Sequence, residues 1–251
     1  MIAVDLGVID YESGLACQYA LHEQRVHSQI DDILILLEHT PVITIGRSGT
    51  EQDLLVSGGE LAARGIPVKK LGRGGKITCH YPGQLVAYPI MDLKNGNLDI
   101  PDFVNRLEEV IIATLADFGL KGERIEKLRG IFVSGNKIAS IGVEIRHQVS
   151  MHGISLNVFE DNSLYGYFVP CGITDRGIEF IERCCPDGTQ LSMDRVKRAF
   201  LSHFTRIFHL PETVAISLKE FEDCAINPKN TNPANHIRQD IEVDGHEKEN
   251  S

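Results

Sequence analysis

LGRGGKITCHYPGQLVAYPI, Leu71 to Ile90, reads as a loop that runs into a strand. Its first fourteen residues hold four glycines, two cations, a cysteine and a histidine, and an apolar run follows. Glycine lets main-chain N–H groups approach a ligand without interference from a Cβ. The stretch therefore fits a narrow slot walled by backbone, and it fits equally a glycine-rich turn between strands. It does not fit the known phosphate cradles. The P-loop pattern finds Gly75-Lys76 at its centre, but Lys70 stands where the first glycine belongs and Ile77 where the hydroxyl belongs. The dinucleotide fingerprint fits Gly72 and Gly74 and fails at Ile77.

Working outward, short apolar runs and helical repeats alternate along the chain. Asp10 to Gln29 predicts a helix, ILILLEH and VITIG two strands, GGELAARGI a short helix closed by Gly65, and VKKL a strand. Ile100 to Phe118 is the clearest helix, with Pro101 near its start and Gly119 after its end. IFVSGNKIASIGVEIR predicts a hairpin turning on Ser134-Gly135-Asn136, HGISLNVF a further strand, and MDRVKRAFLSHFTRIF an amphipathic helix. Past about Asn227 the chain is polar and offers little to bury, which predicts a disordered tail. Mixed strands and helices without an internal repeat give an α/β or α+β fold in one domain plus a tail.

Composition narrows the function classes. The 251 residues can bury a sizeable core, and 42% hydrophobic with 24% charged residues is ordinary for a soluble globular chain. No apolar run is long enough to span a membrane and the N-terminus lacks signal-peptide character, so a cytoplasmic protein without membrane contact is expected. A net charge of −10 argues against nucleic acid as a partner. Lys69, Lys70, Arg73 and Lys76 form a local cationic cluster: either a solvated loop or a landing place for an acidic partner. Six scattered cysteines without CxxC or HExxH spacing predict free thiols and no metal site. A monomer without cofactor is the default.

Two residues carry possible covalent chemistry. Cys171 sits between Pro170 and Gly172, a turn setting that suits an exposed sulfur better than a buried one. A reactive thiol needs a nearby cation or helix N-terminus to hold it as thiolate. Lys137, just after the predicted hairpin turn, could be that cation or simply a solvated lysine. Plain strand alternation puts it on one face with Ala139 and Ile141, and Ser140 with Gly142 on the other.

Taken together, RGGKITCHYPGQLVAYPI, GNKIASIGVEIR, HGISLNV and VPCGI resemble the octanoyltransferases of lipoate biosynthesis, with YESGLACQ and LEHTPVITIGRSG in support. The resemblance runs from about Tyr11 to Phe208. It implies a single mixed-sheet domain with flanking helices, like the biotin and lipoate protein ligases, over residues 1–210. A polar, partly disordered extension would occupy 211–251. It implies transfer of octanoyl from acyl carrier protein to a lysine of lipoyl domains of 2-oxo acid dehydrogenases or the glycine-cleavage H protein. The acyl-thioester nucleophile falls on Cys171 and the catalytic lysine on Lys137. Substrate contacts fall on Arg73, Gly74, Gly75, Lys76, Ile77, Thr78, Cys79 and His80, on Ser140, Ile141 and Gly142, and on Gly153, Ile154 and Ser155. The family usually reads Tyr-His-Gly-Pro-Gly-Gln where this chain has Cys79-His80-Tyr81-Pro82-Gly83-Gln84. That difference bears on acyl-chain preference. The alternatives of the same fold are an ATP-dependent lipoate ligase and an octanoyl or lipoyl amidotransferase; outside it stands a non-catalytic carrier-binding module.

Overall fold

The computed structural model describes residues 1–161, 163–168, 176–211 and 214–217. In chain order the elements are β1 (Ile2–Ile9), α1 (Tyr11–Val26), β2 (Ile33–His39), β3 (Val42–Ile45), α2 (Gly58–Ala63), β4 (Val68–Lys70), β5 (Ile77–His80) and β6 (Gln84–Ile90). Then come α3 (Ile100–Ala116), β7 (Ile131–Val133), β8 (Asn136–Arg146), β9 (Val149–Asn157), α4 (Ile181–Cys184), α5 (Met193–Ile207) and β10 (Val214–Ser217). Seven strands form one mixed sheet in the order β10-β1-β2-β6-β9-β8-β7, and β4-β3-β5 form a second, smaller one.

Local chemistry starts each long helix. Asp10 caps α1 by accepting from the Ser13 N–H, Asp99 caps α3 ahead of Pro101, and Ser192 caps α5. Each such cap contributes about 1 kcal/mol. Apolar spacing then decides which face is buried. Phe103, Leu107, Val110, Ile111 and Leu115 of α3 pack with Phe200 and Phe204 of α5 against Leu34, Leu36, Leu85, Ala87, Ile154 and Leu156 of the large sheet. Truncating one of these phenylalanines to alanine would cost roughly 3–5 kcal/mol. The alternate residues Ile33, Ile35, Leu37, Val86 and Tyr88 face the other way, under Leu21 of α1. The small sheet has its own core of Ile43, Ile45, Ile77, Cys79, Tyr81, Leu164, Phe168 and Phe180.

Two strands escape the sequence pattern. β1 is broken by a bulge between Asp5 and Val8, with Gly7 at φ +63 and its N–H held by Asp5 Oδ1 at 2.9 Å. The interruption hides the alternation that would mark a strand. β10 pairs in parallel with β1, Ile2 opposite Val214 through Asp5 opposite Ser217. It lies in the stretch after residue 210 that the sequence suggested as a polar extension. The short run VAIS carries too little pattern to stand out from its polar surroundings.

Candidate active site

A cavity of about 200 Å³ opens on the α1 side of the large sheet, against the small sheet. Its first wall is the glycine loop. Arg47 N–H donates to the Arg73 carbonyl at 3.0 Å, Ser48 N–H to Gly75 at 3.1 Å, and Gly74 N–H to Val143 at 2.9 Å. These bonds clamp the loop between β3 and β8. The fit tolerates no side chain: a Cβ on Gly142 would lie 2.8 Å from the Gly74 carbonyl oxygen, and one on Gly46 2.6 Å from that of Gly75. Gly75 itself takes φ +81, a region costly for other residues.

Arg73 is buried, its guanidinium donating to Thr44 Oγ1 at 2.8 Å, the Thr44 carbonyl at 2.7 Å and the Gly74 carbonyl at 3.0 Å. It is a fixed positive charge in the cavity wall. It is therefore not part of a surface landing patch, and Lys69 and Lys70 pair with Glu12 and Glu51. Of the expected cationic cluster, Lys76 lines the cavity, joined there by exposed Lys127 and Arg129.

The opposite wall comes from β8 and β9. Ser140 pairs with Ser155, Ile141 with Ile154 and Gly142 with Gly153, and all six line the cavity. Lys137 lines it too, only 4% exposed. Simple alternation would have turned Lys137 away from Ser140 and Gly142. The register shifts where Phe132 faces Lys137 and Ile131 faces Ala139, so Ile138 is an extra residue. Such a bulge re-aims the side chains beyond it. It brings the lysine to the face of Ser140, while Ile138 and Ala139 join the core. Gly130, at φ +109, makes room: a Cβ there would lie 2.8 Å from Lys137 Cε. The segment Gly177–Glu179 is bonded along this strand, with Lys137 N–H donating to Gly177 and Glu179 N–H donating to Lys137.

Of the other expected contacts, Ile77, Thr78 and His80 line the cavity from β5. Cys79 does not: it is fully buried in the small sheet's core, on the opposite side of the strand. Gly74 contributes its close approach rather than lining surface. Tyr81 is likewise buried in the small sheet's core, edge-on to Tyr165, so it does not touch the slot. Cys171 lies outside the described residues.

The pattern gave no sign of Tyr11, Tyr88, Lys127, Leu128, Arg129 and His152, which complete the lining. HGISLNV did contain His152, and its position beside Gly153 was the available signal. The aromatic and imidazole groups form one network. His39 Nδ1 lies 3.2 Å from the Ile9 carbonyl, which can only accept, so Nδ1 carries the proton and Nε2 accepts from Tyr88 O–H at 2.9 Å. His80 Nδ1 donates to Gln84 Oε1 at 2.8 Å, and Gln84 Nε2 donates to Asn157 Oδ1 at 2.9 Å. Tyr11 stacks on His80 at 6.0 Å between centroids. Burial pushes His39 and His152 down to about 4 and His80 well below its ordinary value. At neutral pH these imidazoles are uncharged.

This cavity can hold a slender apolar chain between two backbone walls, with an amine and a buried guanidinium at its polar side. Among the described residues no group of three or more His, Cys, Asp or Glu side chains could hold a metal, and no helix is long and apolar enough to cross a membrane. The family model of the lipoyl protein ligase A/B catalytic domain matches residues 10–205. The chain belongs to this family. An octanoyltransferase of Solibacter usitatus is 43% identical over 203 residues, covering 81% of this chain and 90% of that protein. One from Chloroflexus aggregans is 46% identical over 176 residues, covering 69% and 80%. The family's fold is shared more widely. A bipartite lipoate protein ligase from Thermoplasma acidophilum superposes with a TM-score of 0.65 at 17% identity, covering 88% of this chain and 89% of that one. The biotin protein ligase of Aquifex aeolicus gives 0.52 at 13% identity, covering 83% and 70%.

Proposed function

We propose that this chain is an octanoyltransferase that works through a Cys171 thioester. It takes octanoyl from acyl carrier protein and delivers it to a lysine of a lipoyl domain, as a monomer in the cytoplasm. One observation carries the reading: Lys137 is buried at the wall of a backbone-lined slot, on the same face as Ser140, Gly142 and Ser155. A buried lysine beside a slender apolar cavity suits a thiol partner better than it suits solvent. Gly177, six positions after Cys171 in sequence, is hydrogen-bonded to that lysine.

In the first half-reaction Lys137 takes the Cys171 proton, and the thiolate adds to the donor carbonyl. The bond between acyl carbon and carrier sulfur breaks, and the carrier thiolate leaves with the proton from Lys137. In the second half the acceptor amine adds to the acyl-enzyme, the bond to Cys171 breaks and an amide forms. Exchange between two thioesters is nearly isoenergetic and aminolysis runs downhill, so no nucleotide is needed. The fixed charge of Arg73 and backbone N–H groups of the glycine loop stabilise the oxyanion; one such donor is typically worth about 3 kcal/mol. His80 is poorly set up for that task, because its proton is committed to Gln84. The ATP-dependent ligase alternative shares the fold and the family model, but the relatives at 43% and 46% identity are octanoyltransferases.

Intact-protein mass spectrometry after mixing with octanoyl-acyl carrier protein, without ATP, tests the scheme. An octanoyl adduct is expected on the wild type, none on Cys171→Ala, and slow formation on Lys137→Ala. A folded wild type that never acquires the adduct would remove the covalent route.

A further inference from the structure

His152 is 2% exposed, lines the cavity, and has no hydrogen-bond partner on either ring nitrogen among the described residues. Buried imidazoles are normally satisfied, so two orphaned nitrogens on one ring need a reason. Its backbone is unusual as well. Within β9 it adopts φ +56, and its N–H leaves the ladder to donate to Gln18 Oε1 at 2.8 Å. A left-handed residue other than glycine persists only where its surroundings enforce it, and such residues cluster at functional sites. Glu144 Oε2 stands 3.7 Å from His152 Nε2, too far for a hydrogen bond, and is itself buried with no hydrogen-bond partner among the described residues. The other Glu144 oxygen accepts from half-exposed Arg146 at 2.8 Å.

The transfer reaction leaves a proton to be disposed of. The acceptor lysine arrives as an ammonium and must lose one proton before its nitrogen can add to the acyl carbon. When the carbon–nitrogen bond forms and the carbon–sulfur bond breaks, the second nitrogen proton goes to Cys171 through Lys137. The first one goes elsewhere. We propose that His152 is the base that accepts this first proton, and that Glu144 carries the charge out towards Arg146 and solvent. This rests on the octanoyl-transfer reading and adds a second base to it. Glu144 beside Nε2 favours the tautomer protonated there, so Nδ1 is the acceptor. The charged groups around the ring are Glu144 and Arg146 on β8 and Arg73 from the glycine loop; Tyr88 on β6 meets it edge-on at 6.3 Å. Burial first, and the two cations after it, keep the imidazole neutral at rest, and the carboxylate favours the imidazolium once it forms.

Rapid-quench measurement of each half-reaction separates the roles. His152→Asn is the variant of choice, since asparagine tolerates the left-handed backbone. Octanoyl-enzyme formation should slow far less than aminolysis does, and an unchanged far-UV circular dichroism spectrum reports a folded protein. Aminolysis by the lipoyl domain should slow about 100-fold at pH 7, within the usual range for general-base catalysis, and recover as rising pH neutralises the acceptor lysine. Glu144→Gln, which keeps the size, should slow the same half-reaction about tenfold. Aminolysis at the wild-type rate in both variants, or equal slowing of both halves at every pH, would overturn the proposal. A wild type that forms no octanoyl-enzyme would instead overturn the transfer reading itself, and this inference with it.

Discussion

Gly153 lies so close to the main chain of Ala87 that a Cβ on it would sit 2.1 Å from the Ala87 carbonyl oxygen. Backbone cannot give way as a flexible side chain can, so Gly153→Ala must push β9 away from β6. A loss of about 3 kcal/mol is expected, at the upper end for overpacking. Urea unfolding of the variant and wild type measures it; equal midpoints would contradict the packing.

Stability should also depend on acid. Unfolded imidazoles protonate near their ordinary value of 6.5, whereas His39 and His152 stay neutral in the fold down to about 4. The unfolded state therefore binds more protons across that window, and stability present above pH 6.5 is lost as pH falls towards 4. Each group contributes about 3 kcal/mol over the full window. Unfolding free energy measured at pH 7, 6 and 5 should fall steadily, and His39→Gln should flatten the slope by about a third to a half. A pH-independent wild type would contradict this.

Cys79 separates stability from chemistry. Its side chain is fully buried in the core of the small sheet, away from the slot. Cys79→Ala should cost about 1–2 kcal/mol. It should leave the rate of octanoyl-enzyme formation within twofold of the wild type. A tenfold slower adduct would mean that this thiol reaches the acyl chain after all.

The edge strand β10 bears on where the folding unit ends. Ile216 is buried beside β1. A chain stopped at Pro211 loses that burial and bares β1, and should be about 2 kcal/mol less stable than one stopped at residue 220. Equal denaturation midpoints of the two truncations would place the unit's end before β10.

Exposed Lys127 and Arg129 line the cavity together with Lys76. Reversing both charges, Lys127→Glu with Arg129→Glu, should raise the KM for an acidic carrier-borne donor about tenfold at low ionic strength. The penalty should shrink as salt screens the interaction. A salt-independent penalty would point to a packing defect.

Much of the fold was legible because its elements bury one face with a clean period. Ile100 to Phe118 announces α3 through its capping residues and apolar spacing, and Leu34, Leu36 and Ile35 mark both faces of β2. What stayed hidden is what breaks a period. The Gly7 bulge disguises β1, and the bulge at Ile138 reverses the face predicted for Lys137. In the site, the glycine loop, Lys137 and the β8–β9 pairs were legible through a resemblance, and His80 with them. Tyr11, Tyr88 and the loop from Lys127 to Arg129 were not, because they meet only when distant segments pack together. Cys79 shows the converse: adjacent in sequence to two lining residues, it is turned to the opposite face by strand geometry.

The glycine wall has a consequence for altering the enzyme's selectivity. Where Gly75, Gly142 and Gly153 line the slot, its boundary is peptide backbone, with no side chain to shorten. On the octanoyl-transfer reading, the acyl length this wall admits would depend on how far apart two sheets are held, a property spread over many residues. Directed evolution towards longer acyl groups would therefore find few productive single steps on that wall. Trimming Ile77, Ile141 or Ile154 on the remaining surface is the shorter route, and combinations that shift β3 relative to β8 would be the slower one.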